Sequence, residues 1–236
     1  MGQFQDQIVV ITGGVGNVGK ATATAFADQG ATVVLLDYNE DGLQAALESL
    51  NTNNKDGFTV NLLEAESVNS VIAEIQKKYG RIDVLANIAG GFSMGPGIDQ
   101  TSDKDWEFMM NLNARSVFYA SRATLPDMIK NASGRIINVS ARAALHGAAN
   151  MGPYCASKAA VKTLTESLAN ETKDKGITVN CIMPGTVNTP ENRESMPDAN
   201  HSSWVPTSGL ADVILFLASD AATYVTGAAI PVYGQS

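Results

Sequence analysis

The sequence predicts an α/β protein: a doubly wound, seven-stranded, mostly parallel sheet with helices on both faces. Three observations predict it. Short apolar runs alternate with helix-length segments from end to end. The runs are rich in Val and Ile without polar alternation, as strands covered on both faces are. The first run also leads through a glycine-rich turn directly into a helical pattern, the arrangement that parallel strands with right-handed crossovers require.

In chain order the strands are "QIVVIT" (7–12), "TVVLLD" (32–37), "GFTVNL" (57–62), "RIDVLANIAG" (81–90), "GRIINVS" (134–140), "GITVNCIMPG" (176–185) and "GAAIPVYG" (227–234). Between the first two, "NVGKATATAFADQG" reads as a helix stopped by Gly30. The apolar stripe of "EDGLQAALESL" packs on the sheet, and "ESVNSVIAEIQKKYG" places two lysines late, where the helix dipole favours them. "DKDWEFMMNLNARSVFYASRATLPDMI" and "YCASKAAVKTLTESLANE" supply the later helices. No linker or repeat divides the chain, so one domain over 1–236 is expected, with the Pro-, Asn- and Ser-rich 186–208 as its substrate loop.

Composition narrows the function. A hydrophobic fraction of 44% with 17% charged residues suits a globular core, and the net charge of −8 opposes binding to nucleic acid or anionic membranes. Cys155 and Cys181 have no metal or CxxC spacing, and His146 and His201 show no ligand pattern, so no metal site is expected. No apolar run is long enough to span a bilayer, and a first strand starting by Ile8 leaves no room for a signal peptide. A cytoplasmic location is expected.

The turn "ITGGVGNVGK" can be read as Gly14-x-Gly16-x-x-Gly19 or from Thr12-Gly13. Either frame gives strand, glycines and helix start, which bind a pyrophosphate through backbone N–H groups. Asp37 ends the second strand, 18 residues beyond Gly19, where a carboxylate accepts from a ribose 2′-OH and repels a 2′-phosphate. Tyr38 follows it rather than a basic residue, so NAD(H) is expected over NADP(H). Asn61 and Leu62, Asn87 with Ala89 and Gly90, and Pro184 with Gly185 fall at the same carboxyl edge of the sheet.

"Tyr154-Cys-Ala-Ser-Lys158" opens a helical run, and residues four apart share a helix face. An ammonium beside a phenol stabilises the phenolate and lowers its pKa, which equips Tyr154 to exchange a proton with a substrate oxygen.

With these motifs the chain resembles the short-chain dehydrogenase/reductase family over nearly its whole length. The family's TGxxxGxG loop matches Thr12 to Gly19 with Asn17 in place of a glycine, a replacement attributed to Asn tolerating left-handed geometry. Gly13, Gly16, Asn17, Val18 and Gly19 then form the phosphate turn. The family's NNAG appears as Asn87-Ile88-Ala89-Gly90. Its catalytic Asn falls on Asn113, seven residues after Trp106, where it would hold a water relaying protons to Lys158. The resemblance makes Tyr154 the general acid/base and has Lys158 tune it and grip the nicotinamide ribose. It also brings Pro184, Gly185, Val187 and Thr189 to the nicotinamide amide. Family members commonly pair through the two later helices and through the C-terminal segment, so a homodimer or homotetramer is expected.

The family's catalytic serine falls on Ala141 in "NVSARAALHG". Ser140 serves instead if the strand end bulges, or else its hydroxyl is satisfied by neighbouring backbone. "SARAALHGAANMGPY" and "NTPENRESMPDANHSSW" resemble quinonoid dihydropteridine reductase, a member that works without that serine. Three functions follow: reduction of a small carbonyl or oxidation of an alcohol, reduction of a pterin, or NAD(H) sensing without catalysis. Arg142 and Arg193 are candidate anchors for a polar or anionic substrate, Met94, Met151, Met183 and Met196 a candidate wall, and His146 a solvated loop residue or a pocket residue.

Overall fold

The structure, a computed structural model, describes residues 2–235. Met1 and Ser236, the ends of the span 1–236, lie outside the described residues. The chain runs β1 (Ile8–Thr12), α1 (Asn17–Asp28), β2 (Thr32–Asp37), α2 (Glu40–Ser49), β3 (Lys55–Thr59), α3 (Ala65–Tyr79) and β4 (Val84–Asn87). It continues through α4 (Asp103–Met109), a π-helical turn (Met110–Arg115), α5 (Ser116–Asn131), β5 (Gly134–Val139), α6 (Gly152–Thr172) and β6 (Ile177–Pro184). Last come β7 (Val187–Asn188), α7 (Pro190–Ser195), β8 (Val205–Pro206), α8 (Thr207–Ala218) and β9 (Ala229–Val232).

Seven strands pair in the order β3-β2-β1-β4-β5-β6-β9, every neighbour parallel. The order reverses beside β1, and the registers Thr12↔Leu36 and Thr12↔Asn87 align three strand ends at one edge. A crevice opens outside the carboxyl ends of strands at such a reversal. One core lies under α1, α2 and α8, with Phe26, Leu43, Ala46, Leu210 and Ile214; the other lies under α3, α5 and α6, with Val68, Ile72, Ile75, Met128 and Ala169. Both cysteines are free and buried. Among the described residues no helix is long and apolar enough to cross a membrane.

Several boundaries differ from the sequence expectation. The third strand pairs over Lys55–Thr59 rather than 57–62, because Lys55 and Asp56 sit opposite Val33 and Val34 despite their charge. The fourth is cut to Val84–Asn87; beyond it Ile88 and Ala89 donate to Thr12 Oγ1 instead of to a ladder. Region 186–208 is not one loop: Val187 pairs with Val205, and α7 lies between them. α8 is apolar on most of its faces, burying Leu210, Ala211, Ile214 and Leu217, so it carries no narrow stripe to read. Asn17 is the first residue of α1 and is not among the residues with positive φ; Gly13, at φ 70°, supplies the left-handed step. Asn is tolerated at 17 because the position is ordinary right-handed helix.

Phe26 is fully buried and meets Phe4 edge to face, with centroids 4.8 Å apart. Phe26→Ala is expected to lower stability by about 3–5 kcal/mol, read as a shift in the urea midpoint.

Candidate active site

The turn after β1 is built from backbone contacts. Gly13 N–H donates to the Leu36 carbonyl at 2.8 Å, and a Cβ on Gly13 would lie 2.8 Å from Ala89 Cα. A Cβ on Gly19 would lie 2.1 Å from the Gly13 carbonyl oxygen, so α1 packs against the turn only because residue 19 is glycine. Gly16 caps α1 with no side-chain bond, leaving the first turn's N–H groups to whatever anion approaches. Asp37 is held by Val15 N–H at 3.0 Å and Asn39 N–H at 3.2 Å.

These groups face a cavity of about 630 Å³. Gly13, Gly16, Asn17, Val18, Gly19, Asp37, Tyr38, Asn61, Leu62, Ala89, Gly90 and Thr189 all line it. Asn17 Nδ2 also donates to Glu191 Oε2 at 2.8 Å, tying the start of α1 to α7.

A second cavity of about 650 Å³ shares Val18, Ile88 and Gly90 with the first. Ser140, Tyr154, Lys158, Pro184, Gly185 and Val187 line it. Tyr154 enters in the first turn of α6 and meets Phe92 edge to face at 5.0 Å. Lys158 Nζ donates to the Val139 carbonyl at 3.0 Å, and Ser140 Oγ donates to the Lys158 carbonyl at 2.8 Å.

Two residues expected at the site stand behind it. Asn87 lines neither cavity: it is buried, and its amide donates to Asn138 Oδ1 at 2.9 Å and Ser121 Oγ at 3.2 Å. Its side chain points into the sheet's polar seam, because alternation along β4 turns it away from the crevice. Asn113 is also fully buried. Its Oδ1 accepts from Gly91 N–H at 2.9 Å, and its Nδ2 donates to the Gly91 carbonyl at 3.1 Å and to Ser157 Oγ at 3.0 Å. A Cβ on Gly90 would come within 2.7 Å of Asn113 Oδ1 and 3.0 Å of Lys158 Nζ.

The short chain dehydrogenase family model matches residues 7–200 of this chain. The chain belongs to the short-chain dehydrogenase family. It is 34% identical to 2,5-dichloro-2,5-cyclohexadiene-1,4-diol dehydrogenase LinX of Sphingobium indicum, covering 97% of this chain and 95% of that protein. It is 33% identical to the 3-oxoacyl-[acyl-carrier-protein] reductase FabG of Thermotoga maritima, covering 98% of each. Among solved structures, levodione reductase superposes with a TM-score of 0.89 at 27% identity, over 98% of this chain and 97% of that one. NAD+-bound xylitol dehydrogenase superposes at 0.91 over 98% and 99%; at 24% identity that likeness concerns the fold.

The electrostatics of this short-chain dehydrogenase depart from the expectation that Lys158 lowers the Tyr154 pKa. Burial pushes the phenol up to about 12, with a smaller contribution from Cys155. Burial also pushes Lys158 down to about 8. The ammonium is spent on the Val139 carbonyl, so in this arrangement desolvation outweighs any attraction to a phenolate.

Other residues were not legible as site residues. Ser157 bridges Asn113 to the Tyr154 carbonyl, to which it donates at 2.8 Å. Its place within the Tyr-to-Lys motif was the available signal. Phe92, Asn192 and Leu210 line the second cavity without any motif. His146, although exposed, lines that cavity, as do Met151, Met196 and Arg142. Met94 and Met183 do not line it, and Arg193 instead donates to Asn188 Oδ1 at 2.6 Å.

A pH effect on stability follows from Lys158. The unfolded chain keeps this proton to about 10.5 while the folded chain releases it near about 8. Between these values the unfolded state binds more protons, so this residue's contribution makes stability rise with pH. From about pH 8 to 10, wild type should gain stability relative to Lys158→Met, measured by urea unfolding of both.

Proposed function

We propose that this oxidoreductase transfers hydride between NAD(H) and a small carbonyl or alcohol substrate, with Tyr154 as general acid and base. The observation that carries the reading is the meeting of two cavities across Val18, Ile88 and Gly90: one a glycine turn and bare helix start, the other holding Tyr154 and Lys158. The residues present fit a dinucleotide, since glycine at 13 and 19 lets the turn and α1 pack closely while the N–H groups at the start of α1, which no side chain caps, face the cavity where a phosphate would sit. Gly13, Gly16, Asn17, Val18 and Gly19 would hold the pyrophosphate, and Asp37, Tyr38, Asn61 and Leu62 the adenosine. Ala89, Gly90, Pro184, Gly185, Val187 and Thr189 would border the nicotinamide half, with Tyr154 and Lys158 at its ribose. Asn87 supports that edge from behind. When bound, the nicotinamide supplies or accepts hydride at its C4.

The proton belongs to the protein. A phenol with its pKa raised to about 12 is fully protonated at neutral pH and donates to a substrate oxygen that becomes an alkoxide. Lys158, poised near about 8, exchanges protons close to working pH and returns one to Tyr154. A phenolate formed at Tyr154 would be favoured by the N-terminal dipole of α6 and by an ammonium at Lys158 one turn further along the helix. Asn113 orders the relay from behind through Gly91 and Ser157. Ser140 orients the substrate oxygen if its hydroxyl leaves the Lys158 carbonyl.

NAD(H) is favoured over NADP(H) because Asp37 is fixed at the first cavity and no Lys or Arg lines it. A cytoplasmic protein of one catalytic domain, 1–236, is proposed. It would pair into a homodimer or homotetramer, supported by the exposed Trp106, Phe108 and Phe118 on α4 and α5. A second reading rests on Ser140, whose single O–H is committed to backbone, beside an Ala141 that has none. A quinonoid dihydropterin offers an activated imine that needs less polarising, so pterin reduction fits this arrangement.

Tyr154→Phe should lower kcat about 10²–10⁴-fold while NADH still binds, as followed by NADH absorbance and fluorescence. Undiminished turnover would refute the mechanism. Asp37→Ser should raise kcat/KM with NADPH by at least about tenfold relative to NADH, as removal of a like-charge contact does. Rapid NADH oxidation by a quinonoid dihydropterin, above the non-enzymatic rate, would select the second reading.

A further inference from the structure

The second cavity is polar at one end and apolar over much of its wall. Three of its polar side chains donate to backbone within the protein: Ser140 Oγ to the Lys158 carbonyl, Lys158 Nζ to the Val139 carbonyl and Asn192 Nδ2 to the Val187 carbonyl at 2.8 Å. Arg142 and His146 line it too, but both are exposed, and the Arg142 guanidinium lies over the Tyr233 ring. Phe92, Met151, Met196 and Leu210 supply apolar walls. At about 650 Å³ the space is of the size that holds a small molecule, roughly 300–1,000 Å³. A ligand hydroxyl set against such walls gives up water without gaining a partner.

The apolar character continues past the cavity mouth. Phe92, Met94 and Ile98 on the loop after β4, Leu145 after β5 and Met196 after α7 are all exposed. Gly95 N–H donates to the Asn150 carbonyl at 2.9 Å, and a Cβ on Gly152 would lie 2.5 Å from Ile98 Cδ1. The loop after β4 is thus laid along the segment that carries Met151 into α6. Exposed apolar side chains gathered at one place mark a ligand groove or a contact surface. Phe92 is fixed at this mouth from two sides. It follows Gly91, which Asn113 grips through donor and acceptor, and its ring meets Tyr154 at an interplanar angle of 85°. At 60% exposure Phe92 keeps surface free for a further ring beside the reacting phenol. Met151 and Met196 are unbranched thioethers, which adapt to a ring and favour contact with it.

Building on the oxidoreductase reading above, we infer that the substrate is a ketone carried on an apolar ring, or the corresponding secondary alcohol, with the ring against Phe92 and the two methionines and the reacting oxygen at Tyr154. In reduction the ketone gains a hydride at its carbonyl carbon from reduced nicotinamide and a proton at oxygen from Tyr154. Oxidation of the alcohol returns both. The ring is unchanged throughout. Phe92 is thus a specificity-determining residue that holds the substrate and takes no part in the proton path.

The test compares phenylacetone and cyclohexylacetone with 2-pentanone and 1,3-dihydroxyacetone as oxidants of NADH on the whole protein. At least one ring ketone should exceed both open-chain ketones in kcat/KM by about tenfold or more, carried mainly by KM, equivalent to ~1.4 kcal/mol. Phe92→Ser should erase that preference, and Phe92→Leu should restore part of it. Thermal stabilisation by NADH shows that each variant is folded. Equal use of ring and open-chain ketones, or a preference that survives Phe92→Ser, overturns the inference. Dissociation of the protein by Ile98→Ser in sedimentation, with no ring preference in wild type, also overturns it and gives the rim to a second copy of the chain. A readout independent of turnover is phenylacetamide binding to the NADH-loaded protein by calorimetry, with acetamide as the ring-free control. Phenylacetamide should bind more tightly than acetamide and lose about tenfold or more in Phe92→Ser. Phenylacetamide binding through Phe92 without turnover of any carbonyl would sink the hydride-transfer reading and leave the ring site standing. Turnover of 2-pentanone with no phenylacetamide binding would sink the ring site alone.

Discussion

One buried amide holds the site together. Asn113 grips Gly91 through both its donor and its acceptor and binds Ser157 on α6, so a single side chain joins the loop after β4, the π-turn and α6. A fully buried amide left unpaired costs about 1–3 kcal/mol per group, which fixes all three elements relative to one another. Gly90 then has no space for a side chain between Asn113 and Lys158. The position of Lys158, and through it that of Tyr154 one turn earlier, depends on this arrangement. The π-turn itself belongs to the same economy of space: a wider turn between α4 and α5 sets Asn113 inward where a regular helix would rotate it by part of a turn.

Behind the site runs a second polar seam. Asn87 donates to Asn138, and Asn138 donates to Thr165 on α6 at 2.9 Å. Such a chain inside a parallel sheet forms only when β4, β5 and α6 are aligned in this way, although Asn87 Oδ1 itself is left without a hydrogen bond, and it specifies the alignment more sharply than apolar packing would. The strand pairs Asn87↔Asn138 and Asn138↔Cys181 place the seam just below the crevice. The cavity floor therefore rests on directional bonds.

Much of this was legible in the sequence, and the exceptions are physical. The parallel sheet could be anticipated, because buried parallel strands announce themselves as unbroken Val and Ile runs and the glycine turn marks where the first one ends. Tyr154 and Lys158 could be placed on one face because helical spacing decides that locally. Asn87 misled because a residue in a motif at a strand end looks like lining, while pleat alternation decides which way it points. The bland option for Ser140, a hydroxyl given to neighbouring backbone, is the state observed, and it required knowing that the Lys158 carbonyl lies across from β5. Phe92, Asn192 and Leu210 come from distant segments and meet only in three dimensions, so no spacing could reveal them. The balance between burial and charge at Tyr154 was equally hidden, since a motif shows the neighbour and conceals the desolvation.

The bond between Asn17 and Glu191 joins residues that are far apart in sequence but adjacent at the mouth of the molecule. It has a consequence for charge at that mouth. Glu191 brings a negative charge to the first residue of α1, the place an incoming anion would seek. Met196, five residues further on, forms part of the wall of the other cavity. Anything that settles on the start of α1 meets this carboxylate, while the wall segment keeps its own anchors, Asn192 to the Val187 carbonyl and Arg193 to Asn188 Oδ1. The mouth of the first cavity is thus rimmed by an acid drawn from the segment that walls the second.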